Sequence, residues 1–316
     1  MNSIEHLRRQ LGWEPVEPPG HPVLFINPRS GGGKSTEVSL PERAAELGIE
    51  PILLEPEHDL AELVAGAVGG GADLLGMAGG DGSLAVVAAA ACAHDLPFVC
   101  VPAGTRNHFA LDVGVLRHDL LGALAAFTHG LERRIDVAEV NDRVFLNNVS
   151  LGIYADAVRR PDYRGAKLLT LLETAREVLG PEASAPGVEV TDDKGHDHRD
   201  PAVVLVSNNP YALDRPLARG TRPRLDGGQL GIVVLERPGS RRVRPDRAWA
   251  AASLDVVAAA TVDAARDGEA IRLAPPLRFA IRPRALRVRI SSDHPGVSPS
   301  GLLSARGRPS RDAEPS

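Results

Sequence analysis

"MAGGDGSLAVV", residues 77–87, places two glycines at the end of an apolar run, then Asp81, a third glycine at Gly82, and Ser83 where a helical run opens. Glycine lets backbone approach a ligand closely, and the start of a helix offers unpaired N–H groups to an anion. Asp81 is placed to orient a nucleotide hydroxyl or to hold a cation. In isolation Gly-Asp-Gly is also an ordinary tight turn, so its meaning depends on what surrounds it.

Working outward, residues 23–103 alternate short apolar runs with helical ones: "VLFIN", "PERAAEL", "PILLEP", "DLAELVAGAV", "DLLGMAGG", "GSLAVVAAAACAHD" and "PFVCVPAG". Near-continuous apolar strands separated by amphipathic helices predict βαβ units on a parallel sheet. Ligands of such sheets bind beyond the carboxyl ends of the strands. Three strand ends carry suitable loops, at 28–35, 79–83 and 102–107. The first, "NPRSGGGKST" (27–36), has the look of a P-loop, but Pro28 stands where the leading glycine is needed. Proline has no N–H and a fixed φ, so the phosphate nest cannot close in that way. The third, "CVPAGTRNHFA" (100–110), sets Gly104, Thr105 and Asn107 before another helix, where short polar side chains alone would read as caps.

After residue 130 the pattern changes. "RRIDVAEVNDRVFLNNVSLG" alternates with period two about Asn141-Asp142, as a hairpin does. A helical run, "AKLLTLLETAREVLG", stops at Gly180-Pro181. Strands are expected at "GVEVTD", "AVVLVSNN", "GQLGIVVLE", "SLDVVAAATVDAA", "LRFAIRP" and "ALRVRI", forming an antiparallel second domain. From about 294 the chain is rich in Ser, Pro, Gly and Arg without apolar period and is expected to be loose. His196 and His198 in "KGHDHRD" have metal-like spacing but read as a solvated turn between strands.

Length and composition fit this division. The 316 residues suffice for two domains, with 43% hydrophobic and 24% charged residues as in a soluble globular protein. Cys92 and Cys100 form no CxxC pair, so a disulfide framework or thiolate metal site is not indicated. The first twenty residues have no apolar core of a secretory signal, and the most apolar stretch, 85–93, is too short to span a bilayer, so a cytoplasmic protein is expected. The net charge of −5 argues against nucleic acid as a general partner. Residues 237–316 nevertheless carry +7, all their cations being arginine, densest in "RPGSRRVRPDR" (237–247). Such a surface suits phosphates and anionic lipid headgroups, and serves equally as a solvated loop.

"NPRSGGG", "GGDGS", "PAGTRNHFA", "NNVSLG" (147–152) and the closing "ARDGEAIRLAPPLRFAIRPRALRVRI" (265–290), in this order, resemble the diacylglycerol kinase catalytic-domain family. That family includes bacterial soluble lipid kinases and sphingosine kinases, and the resemblance covers roughly residues 22–290. It implies an α/β nucleotide-binding domain with a parallel sheet (20–132), a C-terminal antiparallel β-sandwich for the lipid (133–290), and a tail (291–316) that returns to the first domain or stays flexible. It implies ATP and Mg²⁺ as cofactors and a lipid alcohol as substrate, reached at a peripheral membrane surface. A homodimer stays open.

By carry-over, Asn27, Pro28, Arg29, Ser30 and Gly31 lie on the phosphate side. Gly79, Gly80, Asp81, Gly82 and Ser83 hold the nucleotide, with Gly104, Thr105 and Asn107 beside it. Asp267 matches the family's general base, with Glu269 next to it, although Asp267-Gly268 by itself reads as a hairpin turn. Asp226 in "RLDGGQLGIVVL" stands near the family's metal loop, one residue out of register. Ala85-Val86 replaces an Asn-Glu pair, and Arg106 and His108 stand where Gly and Asp are usual. An NAD kinase-like enzyme and a nucleotide-binding regulatory protein without transfer activity are the alternatives. The first would need an Asn-Glu pair that "NNVSLG" does not supply.

Overall fold

A computed structural model describes residues 3–152, 187–213, 220–236 and 247–306. The helical run expected at 166–180, the arginine-rich stretch up to residue 246 and the last ten residues lie outside the described residues.

The strands are β1 (Glu14–Pro15), β2 (Pro22–Ile26), β3 (Glu50–Leu53), β4 (Leu74–Ala78), β5 (Pro97–Val101), β6 (Gly130–Val140), β7 (Arg143–Phe145), β8 (Asn148–Gly152) and β9 (Val188–Thr191). They continue with β10 (Asp197–Arg199), β11 (Val203–Asn208), β12 (Leu230–Leu235), β13 (Arg247–Ala251), β14 (Ser253–Ala258), β15 (Val262–Arg266), β16 (Glu269–Leu273) and β17 (Leu277–Ser291). The helices are α1 (Ser3–Gln10), α2 (Lys34–Glu37), α3 (Leu40–Glu46), α4 (Leu60–Gly69), α5 (Asp81–His94), α6 (His108–Asp112), α7 (Leu120–Leu124) and α8 (Pro299–Arg306).

The apolar runs of the first lobe form parallel strands in the order β5-β4-β2-β3. β2, β4 and β5 are buried at every residue, as strands covered on both faces must be. Each buried Val, Leu or Ile there contributes about 1.5–3 kcal/mol. α4 begins at Asp59, whose carboxylate accepts the Ala61 N–H.

The sheet does not end at β5. The far half of β17 runs parallel to β5 through Arg287–Arg289, while both halves pair antiparallel with β6. β14, β9 and β10 extend the same sheet beyond β17. A second, antiparallel sheet runs β13-β12-β11-β8-β15-β16. Between the sheets lies an apolar core with Phe145, Val190, Val256 and Phe279 from one side and Leu151, Val206, Ile232 and Ala264 from the other. The architecture is therefore the expected α/β parallel-sheet unit plus a β-sandwich. The hairpin at Asn141-Asp142 has the expected two-residue loop, with φ of 47° and 63°.

Four details differ from the sequence reading. "SLDVVAAATVDAA" is two strands, β14 and β15, because the chain passes from one sheet to the other after Ala258. "LRFAIRP" and "ALRVRI" are one strand, β17, whose register shifts between Arg282 and Leu286 around Pro283, which cannot donate to the ladder. Residues 294–306 are not loose: His294, Val297, Ser298 and Ser300 are buried and 299–306 is helical. They return to the first lobe through polar contacts with no apolar period. The Trp13 indole N–H donates to the Gly296 carbonyl, and Gly296 N–H donates to the Gly114 carbonyl. His198, finally, is buried on β10, where alternate residues face inward. It lies between Glu236 and Asp192 and stacks on Trp249, while His196 is half exposed.

Candidate active site

Three strand ends of the parallel sheet meet. Asn27 N–H donates to the Ala78 carbonyl at 2.9 Å, so β2 and β4 end side by side. Asn27 Oδ1 accepts the Arg29 N–H at 3.0 Å, turning the chain past Pro28 into a tight turn over Ser30–Gly32. A Cβ on Gly31 would lie 2.2 Å from the Ala103 carbonyl oxygen, and its φ is +60°. A Cβ on Gly104 would lie 2.9 Å from Gly80 Cα and 3.0 Å from the Gly79 oxygen. Both neighbours are backbone, so only glycine lets the three loops close on one another.

α5 opens at Asp81, two residues before Ser83. Gly80 is its N-cap, and among the described residues no side chain caps its first turn. A helix of this length presents its first N–H groups and about half a positive charge at that end. The Asp81 carboxylate faces away, toward the N–H groups of His108 (3.4 Å) and Phe109 (3.3 Å), and so caps α6. Asn107 does not cap α6. It is buried in the left-handed region (φ 49°), and its Nδ2 donates to the carbonyls of Pro102 (2.8 Å) and Arg117 (3.2 Å). Thr105 is exposed, Ser83 half-buried and Arg29 exposed. Burial lowers the His108 pKa, with Asp81 and Asp112 opposing. Ala85, at a polar position of the family pattern, packs in the first-lobe core.

The second lobe contributes a turn from the other side. Arg266 pairs with Glu269 across Asp267-Gly268, whose φ values of 49° and 87° make a two-residue hairpin loop. The Asp267 side chain points inward and is 7% exposed. Its oxygens accept N–H groups from Leu146 (2.9 Å), Asn147 (2.7 Å) and Asn148 (3.2 Å). Burial pushes the carboxyl up to about 7; those three bonds pull it down, and the charge of Asp81 adds to the rise. Glu269 packs against the start of α5, where a Cβ on Gly82 would lie 2.0 Å from its Oε1. The structure thus brings Asp267 and Glu269 to the three glycine loops.

Two side chains that no sequence signal marked complete the surroundings. Arg222, fully buried, bonds Asp112 of α6 and the carbonyls of Leu146 and Asn208. Tyr211 OH accepts the Asn148 amide N–H at 3.1 Å, and burial raises its phenol above the ordinary value. Asp226 lies elsewhere in the second lobe. Burial opposes its ionisation, but Arg224, 2.9 Å away, holds its carboxyl below the ordinary range. The neighbouring loop is organised by Asp136, which accepts the N–H groups of Gly228 (2.7 Å), Arg284 (2.8 Å) and the Asn209 amide (3.2 Å). Among the described residues no three His, Cys, Asp or Glu side chains cluster as a metal site. None of the described helices is long and apolar enough to cross a membrane.

The donors present fit a nucleotide's phosphates. Gly31 and Gly104 leave no room for side chains, and the uncapped start of α5 faces Glu269 and the Asp267 turn. Of the carboxylates that Mg²⁺ would need, Glu269 lies at the start of α5, Asp81 caps α6 and Asp226 is taken up by Arg224.

Comparison with known proteins agrees with this fold. Residues 21–140 match the family model described as the diacylglycerol kinase catalytic domain. A protein of Pseudomonas fluorescens named probable lipid kinase YegS-like is 29% identical over 281 residues, covering 80% of this chain and 89% of that protein. The diacylglycerol kinase of Bacillus subtilis is 39% identical over 77 residues, and the match spans 24% of this chain and a quarter (25%) of that protein's length. A crystal structure of a diacylglycerol kinase from Bacillus anthracis superposes with a TM-score of 0.62 at 21% identity, covering 86% of this chain and 97% of that one. Residues 21–140 thus match the diacylglycerol kinase catalytic domain, within a chain that shares the fold of the Bacillus anthracis protein.

Proposed function

We propose that the chain is an ATP-dependent lipid kinase, which transfers the γ-phosphoryl group to a hydroxyl of a diacylglycerol-like or sphingoid lipid with Asp267 as general base. The observation that carries this reading is a buried carboxyl held by three peptide N–H groups opposite the start of α5, where burial pushes it up to about 7. An alcohol is a weak nucleophile, and a base is most effective when its pKa lies near the working pH. Asp267 takes the hydroxyl proton, while the N–H groups of Gly31, Gly80, Gly82 and Gly104 and the dipole of α5 face the phosphates. Glu269, on the same hairpin, orients the acceptor or the cation. Mg²⁺, bound with ATP, supplies charge neutralisation for the transferring group. Asp226 enters a cation site only by leaving Arg224. The lipid is met at a membrane surface, through peripheral association.

The test is incubation with γ-labelled ATP, Mg²⁺ and a total lipid extract. Label is expected in an organic-phase lipid with the wild type, and none with Asp267→Asn. Label confined to water-soluble products, or equal lipid labelling by both proteins, overturns the reading.

A further inference from the structure

Arg222 heads the largest fully buried side chains of the described residues. A buried guanidinium costs several kcal/mol unless its donors are met, so its partners tell what it holds. The Arg222 backbone N–H and Nε donate to Asp112 Oδ1 and Oδ2 at 2.7 and 2.9 Å. Nη2 donates to Asp112 Oδ2 at 2.7 Å and to Asn147 Oδ1 at 3.0 Å. Nη1 donates to the carbonyls of Leu146 and Asn208, both at 2.6 Å. The guanidinium lies over the Tyr211 ring, 5.6 Å from its centroid. Burial would lower Arg222, but Asp112, with Tyr211 and Asp267 adding to it, holds Arg222 above its ordinary value, so it stays charged.

The Leu146 carbonyl and the Asn147 N–H belong to one peptide group. Arg222 grips its oxygen, and its N–H donates to Asp267 Oδ1 at 2.7 Å. A cation at the carbonyl end polarises the group and strengthens the donor at the other end. Asp112 in turn closes α6, whose first N–H groups face Asp81.

We propose that Arg222, oriented by Asp112, is a positioning residue for Asp267, holding that carboxylate through the Leu146–Asn147 peptide group in the attitude from which it accepts the substrate proton. This rests on the general-base reading of Asp267. A purely structural ion pair would affect stability and leave turnover of the folded protein intact.

Two variants separate the roles. Arg222→Lys keeps the charge, but one ammonium cannot serve Asp112, Leu146, Asn147 and Asn208 in a plane. The double variant R222M/D112L removes both charges at similar volume, a replacement that is often neutral for stability, and it decides the matter if the lysine variant fails to fold. Each is assayed on the full chain for its KM for ATP, the pH profile of kcat with the labelled lipid extract, and the ¹³C titration of the Asp267 carboxyl carbon, identified by Asp267→Asn. Asp81, which also bears on that carboxyl, is the same in all of them. Expected are an almost unchanged KM for ATP, a loss of roughly tenfold or more in kcat, and an Asp267 titration moved to higher pH. Folded variants with wild-type kcat, pH profile and carbon titration overturn the proposal. Should the wild type label no lipid, the kinase reading fails, while the carbon titration, which needs no substrate, still decides whether Arg222 governs Asp267.

Discussion

Replacing Asp267 by Asn should make the protein more stable at alkaline pH while abolishing transfer. The folded-state carboxyl titrates at about 7, whereas an unfolded Asp titrates near 3.9. A raised pKa means that the folded state holds its proton more tightly, so this group favours folding below about pH 4 and loses that contribution as pH rises toward 7. At about pH 8.5 the penalty is roughly 3 units, or about 4 kcal/mol; at about pH 5 it is near 1.5 kcal/mol. Asn escapes this change but turns an NH₂ group toward one of the three N–H donors, which costs about 1–3 kcal/mol at every pH. The difference in stability, variant minus wild type, should therefore rise by about 3 kcal/mol between these two pH values, or several degrees in Tm. Thermal melts of both proteins in a series of buffers measure it. A difference that stays flat across that range, or falls, refutes the argument that burial dominates the Asp267 environment.

The same carboxyl predicts that kcat rises with pH through about 7 and then levels. Asp81→Asn removes a nearby negative charge, so the acid limb of that profile should move to lower pH; an upward or absent shift contradicts their proximity. Gly104→Ala forces a Cβ against Gly80 and the Gly79 carbonyl; an overpacking cost of about 1–3 kcal/mol should spread the loops and raise the KM for ATP roughly tenfold. Gly66→Ala on α4, with open space around it, should instead stabilise by up to ~1 kcal/mol and leave that KM unchanged, as melting and steady-state kinetics will show.

Legibility followed the range of the forces involved. The first lobe is readable because β2, β4 and β5 are short, wholly apolar runs bounded by Pro, Gly and Asn. The Asn141-Asp142 and Asp267-Gly268 turns were readable because left-handed φ values favour such pairs. What failed was long-range. Nothing in "LRFAIRPRALRVRI" tells that β17 crosses from the sandwich to β5, because Pro283 reads as a stop. The carboxylate that takes the Arg284 N–H at that irregularity, Asp136, lies 148 residues away in sequence. The Arg222–Asp112 pair joins residues 110 apart and obeys no local period. Taken locally, Asn107 has the type and place of a cap, yet α6 is capped by Asp81 from another strand end. The tail was read as loose because its order rests on buried serines and a Trp13 hydrogen bond instead of an apolar stripe.

The central claim is that residues 27–33, 79–83, 103–107 and 266–269, from two lobes, face one nucleotide. Amide hydrogen exchange with and without ATP·Mg²⁺ tests it most directly. The account predicts slowed exchange in all four segments at once, saturating at a single ATP concentration. Protection limited to one glycine loop, or to the first lobe with 266–269 unchanged, would contradict it.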